Sequence, residues 1–169
     1  MDDYSPDNYP KWVFEKHDRE RAVWDERMQR PPRDLVRRPP ASWRRTGAER
    51  MLVPTPVTTS GVIAEIPRGR VVTVSGLRRE LARRSGVDLT CPMTIARQLV
   101  VIEHARWAIH RGKVAPSWRV VTDNGQVYPK YHGGGEVAAN KLEREGVRVR
   151  HAPPFDWFVV DHAHVLFDW

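Results

Sequence analysis

Two helix-forming segments separated by a short turn constrain the middle of this 169-residue chain more than any other feature. The first is predicted from Ser75, a suitable N-cap residue, to a stop at Gly86. The second begins at Pro92, which suits a first helical position, and ends at Gly112. Its apolar face is spaced three or four residues apart and consists of Ile95, Leu99, Ile102, Ala105 and Ile109. This layout is typical of a helix-turn-helix.

Shorter elements are predicted on both sides of these helices. They are, in order, a helix over 55–66, a short strand over 71–74, an extended piece over 119–122, a turn at 123–125, a helix over 136–145 and a terminal hairpin whose polar turn is 161–164. Mixed short strands and helices of this kind predict an α/β domain.

The first 53 residues have a different character. Glu15 with Arg19, and Arg21 with Asp25, are four residues apart and predict a helix over 12–30. Prolines then interrupt an arginine-rich stretch, which we interpret as a flexible basic arm or, equally well, as a solvated linker. The cations of that stretch are Arg33, Arg37, Arg38, Arg44, Arg45 and Arg50, against Asp34 and Glu49.

The formal net charge of +7 favours a polyanionic partner, first of all nucleic acid. Cys91 is the single cysteine, which excludes an internal disulfide and a cysteine-rich zinc site. The first ten residues are acidic and polar, and no apolar run is long enough to cross a bilayer. We therefore expect a cytoplasmic protein, associated with the nucleoid if its host is bacterial, with no membrane partner.

A run of short motifs over about Pro54 to Arg150 resembles the DNA-binding domain of the alkylguanine-DNA alkyltransferase family. The matching pieces are Ile66-Pro67-Arg68-Gly69 with Val71 to Ser75 for the entry to the helix-turn-helix, Pro116-Ser117-Trp118-Arg119-Val120-Val121 for the family's Pro-Cys-His-Arg-Val-Val motif, Asp123-Asn124-Gly125 for the turn after it, Tyr131-His132-Gly133-Gly134 for the loop that closes on a flipped base, and Leu142 to Gly146 for the helix that ends in the relay glutamate. Their order matches that of the family. The resemblance is greatest to the catalytically inactive alkyltransferase-like proteins.

The resemblance implies a pocket that receives a base turned out of duplex DNA, built here from Ser117, Trp118, Arg119, Tyr131, His132, Gly133 and Glu145. In active members a cysteine thiolate takes the alkyl group, and a histidine with a glutamate assists it. Ser117 replaces that cysteine and Trp118 replaces that histidine. A serine hydroxyl without an adjacent base is too weakly ionised to act as the nucleophile. We therefore expect no enzyme activity and no cofactor, with Arg119 and Glu145 organising structure.

Trp118 has two interpretations, a platform on which a base stacks or a plug that fills the old pocket, and the plug is favoured because buried indoles are commoner. Val74 stands where the family has a tyrosine that helps to turn out the nucleotide. Arg97 is the nearest candidate for the arginine that fills the vacated base stack. The DNA-contacting residues predicted on this basis are Arg78, Arg79, Thr94, Arg97, Gln98 and Val74.

Two other clusters have the residue types of chemical sites. Cys91 at a helix N-terminus is a conceivable nucleophile, although a small capping role is favoured. Asp161, His162 and His164, with His151, resemble metal ligands, but turn residues are the favoured interpretation. We predict no metal.

Together these observations predict a small α/β, winged helix-turn-helix-like alkyltransferase domain over 54–150. A basic extension over 1–53 precedes it, and an aromatic extension over 151–169 containing the hairpin follows. The predicted function is non-enzymatic binding of double-stranded DNA, with recognition of alkylated or flipped-out guanine in DNA repair. The alternative is a protein-interaction or general DNA-binding module that reuses the fold, with a protein partner on the N-terminal arm or the C-terminal aromatic segment.

Overall fold

The computed structural model describes residues 33–43, 47–108, 115–128, 134–154 and 156–169, with Val23 and Glu26, and for 104–108 only the backbone. The helix predicted over 12–30 therefore lies outside the described residues, apart from those two positions. From residue 33 onward the described helices are α1 (Pro56–Ile63), α2 (Val74–Arg84), α3 (Pro92–Ala108) and α4 (Gly135–Arg144). The described strands are β1 (Leu35–Arg37), β2 (Met51–Val53), β3 (Val72–Thr73), β4 (Leu89–Thr90), β5 (Val120–Val121), β6 (Val149–Ala152) and β7 (Asp156–Val159).

The four predicted helices after residue 54 are confirmed, as is the mixed α/β class. Pro92 opens α3 as expected, and Gly86 and Gly146 follow the ends of α2 and α4 in the left-handed conformation at φ +60° and +87°. The described helices include none that is long and apolar enough to cross a membrane.

The predicted N-cap of α2 is wrong. Thr73 ends β3 in an extended conformation, and its hydroxyl accepts a hydrogen bond from the amide of Gly76 at 3.0 Å. Ser75 instead lies in the first turn, where its amide and hydroxyl donate to the Asp123 carboxylate at 3.0 and 2.6 Å. The helix begins before Ser75 because β3 leads directly into it.

Three small sheets organise the strands. The first has the order β1-β2-β4, with β1 antiparallel and β4 parallel to β2. The second pairs β3 with β5 in parallel, and the third is the antiparallel hairpin of β6 and β7. Because β1 belongs to the first sheet, the expectation of a flexible arm is wrong for residues 35–37.

The C-terminal hairpin lies earlier than predicted. Its strands are β6 and β7, so the chain turns at Pro153 and Pro154, which cannot donate to a strand ladder. The predicted turn residues belong instead to a short 3-10 helix, His162–Val165, after which Leu166 bridges Val71 in parallel. The predicted domain boundary at residue 150 falls within β6.

The core consists of two clusters. The first joins α1, α2 and α3 through Leu52, Ile63, Ile66, Leu77, Leu81, Ile95, Leu99 and Ile102, all at most 3% exposed. The second lies under α4 and the hairpin and contains Val71, Val121, Val127, Ala138, Leu142, Val147 and Val159. Val72 and Val120 belong to the first cluster and Val71 and Val121 to the second, so β3 and β5 lie between the two clusters.

Glu80 on α2 carries a prediction about acid stability. It is 4% exposed and accepts hydrogen bonds from Arg83 at 2.7 Å and from Arg84 at 2.6 Å. The hydrogen bonds from Arg83 outweigh the effect of burial and lower the pKa of Glu80 to about 2. The stability from this lowered pKa is present above the ordinary glutamate pKa of about 4.3 and is lost as the pH falls toward 2.

We expect Glu80→Gln to remove about 2 kcal/mol of stability at pH 7, a figure reduced for solvent screening around the exposed Arg83. Urea unfolding between pH 7 and pH 2.5 measures the effect. The variant should lose less stability than the wild type as the pH falls. Glu143→Gln, at an exposed position, is the control, and parallel pH profiles for both variants would contradict the assignment.

Candidate functional site

Ser117 opens the short 3-10 turn Ser117–Arg119 just before β5. It is 4% exposed, and its hydroxyl donates a hydrogen bond to the carboxylate of Glu103. Glu103 comes from α3 and is 3% exposed. The position that the motif resemblance assigns to a nucleophile is therefore occupied by a buried hydroxyl that donates to a carboxylate.

Sequence analysis missed Glu103 and predicted no base beside Ser117, which is wrong. The available signal was its spacing: Glu103 lies four residues after Leu99 and eight after Ile95, on the apolar face of α3. A carboxylate is a weaker base than an imidazole. With both side chains buried, the pair resembles a structural hydrogen bond more than an activated nucleophile.

The next two residues of the motif converge on Glu145, which ends α4. The indole Nε1 of Trp118 donates to Oε1 at 2.9 Å. The guanidinium of Arg119 donates to Oε1 and Oε2, both at 2.8 Å, and also to the carbonyl of Ile66. Since the side chains of Arg119 and Glu145 are 14% and 7% exposed, this is a largely buried, two-pronged ion pair.

Electrostatics keep Glu145 ionised. Burial alone would raise the pKa of this carboxyl, but hydrogen bonds from Arg119, Trp118 and the amide of Gly69 outweigh burial and lower the pKa below its usual value. The carboxylate is therefore saturated with donors from this chain. Because Trp118 donates a hydrogen bond directly to Glu145, the Glu145 carboxylate holds the indole in place.

Cations flank the ring of Trp118. The guanidinium carbon of Arg119 lies 5.5 Å from the ring centroid, and the Lys141 ammonium lies 5.2 Å from it. The ring also packs, half-buried, against the second core cluster. These contacts favour the plug over the stacking platform.

Gly69 explains part of the motif at residues 66–69. Its φ is +74°, and a Cβ built there would lie 3.1 Å from the carbonyl oxygen of Glu145. The amide of Gly69 also donates to the Glu145 carboxylate at 3.3 Å. The glycine thus lets the entry loop approach the end of α4 closely enough to complete the Glu145 network.

The predicted DNA contacts separate into inward and outward residues. The guanidinium of Arg78 donates to the carbonyl of Thr90 at 3.1 Å, so it fastens α2 to β4. Val74 packs half-buried against the first core cluster, and Thr94 is half-buried. Arg79 and Arg97 are exposed and form no hydrogen bond or ion pair with another described residue.

Gln98 does not suit the role predicted for it. It is 4% exposed, its amide oxygen accepts from Thr59, and its amide nitrogen donates to the carbonyl of Pro54. A DNA contact by Gln98 is therefore wrong for this conformation, because the side chain points into the junction of α1 and α3. Met93, which is 65% exposed one turn before Arg97, is the outward residue that sequence analysis did not single out.

Several predicted positions cannot be placed in the site. Tyr131, His132 and Gly133 lie outside the described residues, as do residues 109–114 that end the predicted second helix. Their roles in the pocket stay predictions.

The remaining candidates are structural where they are described. Asp161 pairs with Arg148 at 3.1 Å, and the ring of His151 lies 4.5 Å from that of Trp157. Within the described ranges, no group of three or more possible metal-ligating side chains comes together. Cys91 is half-buried, and its amide donates to the carbonyl of Leu52 at 2.8 Å.

Fold and site together describe a small α/β protein with a helix-turn-helix pair, α2 and α3, beside a closed network around Ser117 and Glu145. No family model matches the chain, and no curated protein matches it. Among solved structures it is similar to S. pombe Atl1 in complex with damaged DNA containing O6-carboxymethylguanine, and to S. pombe ATL in complex with DNA. In both cases the identity is 20%, the TM-score is 0.48, and the alignment covers 67% of this chain and 94% of that chain.

The chain is thus similar to an alkyltransferase-like protein, as the motifs predict.

Proposed function

We propose that this chain is a non-enzymatic DNA-binding protein of the alkyltransferase-like type, which contacts duplex DNA through α3 and recognises alkylated or flipped-out guanine in DNA repair. The observation that carries the proposal is the outward face of α3. Met93 and Arg97 lie one helical turn apart on the second helix of a helix-turn-helix pair and are both exposed. The apolar side chain of Met93 suits contact with a base edge, and the guanidinium of Arg97, which has no partner in the described chain, suits contact with a neighbouring phosphate.

The proposal of a non-enzymatic role is supported by the interior of the site. The hydroxyl of Ser117 donates a hydrogen bond to Glu103, and the indole of Trp118 donates one to Glu145. Neither a free nucleophile nor a free relay group is therefore present at these positions. Incubation with alkylated DNA followed by mass spectrometry should show no covalent adduct. An adduct on Ser117 or Cys91 would overturn this part of the proposal.

The binding test is a gel-shift series with unmodified and alkylguanine-containing duplexes of one sequence at two salt concentrations. We expect binding that weakens with salt, by a log-log slope of about 0.9 per phosphate contacted. Equal affinity for both duplexes would remove the lesion-specific part of the proposal. If no duplex binds even at low salt, DNA binding fails, and the protein-interaction alternative remains.

Arg97→Gln is expected to weaken DNA binding about tenfold, since loss of one charged contact to DNA costs about 1 to 3 kcal/mol. Gel shifts at the lower salt concentration measure it. The matched control is Arg148→Gln, which removes the same charge from an exposed position after α4. A similar loss of affinity in both variants would show a general charge effect in place of a contact by α3.

A further inference from the structure

The arginine-rich segment before α1 is fastened to the turn between α2 and α3. Strand β2 pairs in parallel with β4, which lies in that turn, and the amide of Cys91 donates to the carbonyl of Leu52 at 2.8 Å. The amides of Glu49 and Arg50 both donate to the carboxylate of Asp88 at 2.8 Å. These bonds hold the segment against the helix-turn-helix.

A second set of bonds fixes the start of the segment. One carboxylate oxygen of Asp34 accepts from the amide of Thr55 at 2.7 Å and from the hydroxyl of Thr58 at 2.9 Å, at the N-terminus of α1. Strand β1 then pairs with β2 in a fixed register, Leu35 opposite Val53 and Arg37 opposite Met51. The position of β1 relative to α3 is therefore set before any ligand binds.

The outer edge of this sheet is exposed and basic. Every residue of β1 is exposed, and Arg33 and Arg37 make no hydrogen bond or ion pair with another described residue. Arg38 contacts Glu49 at 3.3 Å, but both side chains are about two-thirds exposed, at 66% and 64%, so the pairing is weak. Residues 33–38 contain three arginines and one carboxylate, Asp34, so the net charge of this edge segment is positive.

We propose that the sheet of β1, β2 and β4 is a second DNA-contacting surface, in which Arg33, Arg37 and Arg38 bind backbone phosphates beside the site contacted by α3. This inference rests on the proposed function, because it requires duplex DNA on α3. Charge decides the occupant: Leu35 and Val36 would also suit an added protein strand, but three exposed arginines on so short a segment match a row of phosphates.

The geometry gives the proposal a length scale. Two strand spacings place β1 about 10 Å from β4. At 3.4 Å per step along DNA, the sheet adds about three base pairs to the contact made by α3. Since the sheet is already ordered in the free protein, this contact has little backbone conformational entropy to lose.

The test compares two triple variants with the same change in net charge. Arg33→Gln/Arg37→Gln/Arg38→Gln removes the proposed contacts, and Arg144→Gln/Arg148→Gln/Arg150→Gln removes three exposed arginines at and after the end of α4. For the first variant we expect the log-log salt slope of duplex binding to fall by about 2 to 3, at about 0.9 per phosphate. The shortest duplex bound at full affinity should also be about three base pairs shorter than for the wild type. The control should change neither quantity.

The outcomes separate the two proposals. If the wild type binds no duplex, the proposed function fails. If the wild type binds duplex DNA, and the Arg33→Gln/Arg37→Gln/Arg38→Gln variant keeps both the wild-type salt slope and the wild-type minimum duplex length, then α3 binds alone and the proposed second surface is wrong. Arg33 and Arg37 make no hydrogen bond or ion pair with another described residue, so the single changes Arg33→Gln and Arg37→Gln should each lower the slope by about one without changing thermal unfolding. Unchanged thermal unfolding excludes loss of fold as the cause.

Discussion

Replacing Glu145 by glutamine is expected to lower the free energy of unfolding by about 4 kcal/mol, the largest effect that we predict for a single change. The substitution preserves the shape of the side chain but removes its charge. Arg119, with its side chain 14% exposed, would then remain as a largely buried cation without a counter-ion. The side-chain NH2 of the new glutamine would also face the N–H donors of Trp118 or Arg119. Two donors cannot form a hydrogen bond with each other.

Urea unfolding followed by circular dichroism measures this loss. Glu143→Gln is the matched control, because it makes the same chemical change two residues earlier at an exposed position of α4. We expect the control to stay within about 0.5 kcal/mol of the wild type. If the two variants are equally stable, Glu145 does not hold Trp118 and Arg119 in place.

The second large effect is expected at Ser117. Ser117→Ala removes the hydroxyl that donates to Glu103, and both residues are at least 96% buried, with exposures of 4% and 3%. A buried carboxyl group that loses its hydrogen-bond donor costs about 3 kcal/mol. Replacing both partners, as Ser117→Ala/Glu103→Leu, should recover about half of that loss or more, since no buried polar group is left unsatisfied.

A double-mutant cycle over Ser117→Ala, Glu103→Leu and their combination gives the interaction energy directly. Ser60→Ala is the control, because the hydroxyl of Ser60 makes no hydrogen bond with another described residue. Strictly additive effects would mean that the hydrogen bond contributes nothing measurable. A coupling of about 1 kcal/mol or more is the expected result.

Both expected effects come from contacts that residues 117–119 make inside the protein. Ser117 connects the motif to α3 through Glu103, and Arg119 connects it to α4 through Glu145. The same three-residue turn therefore joins the helix-turn-helix to the end of the last described helix. In this chain, Ser117 and Arg119 stabilise the fold through these contacts.

Local sequence rules predicted the helices well, because each signal lies within the element it defines. The apolar spacing of α3 led to Ile95, Leu99 and Ile102, which are buried as expected. Pro92 and Gly146 mark boundaries because their backbone preferences act without help from the rest of the chain. The short helical turn Ser117–Arg119 was not predicted, although the motif that contains it was singled out.

Local sequence signals did not predict contacts between residues that are far apart in the chain. The pairing of β1 with β2, and of β2 with β4, depends on residues that are far apart in the sequence and form strands of only two or three residues. So short a strand has almost no periodicity to read. The hairpin was misplaced because the polar residues 161–164 indicated a turn, but nothing in the sequence showed which segments pair across it.

What the sequence determined by itself is therefore the local structure, since it follows from residue type and short-range spacing. The replacement of a catalytic cysteine and histidine by Ser117 and Trp118 stays a prediction from the resemblance. The tertiary structure alone decided which partners those residues have. Glu103 meets Ser117, Gln98 turns inward to Thr59, and β1 and β2 form one sheet with β4, which lies between α2 and α3. Burial and hydrogen bonding between remote segments fix these partners, and no window of the sequence contains both sides of such a contact.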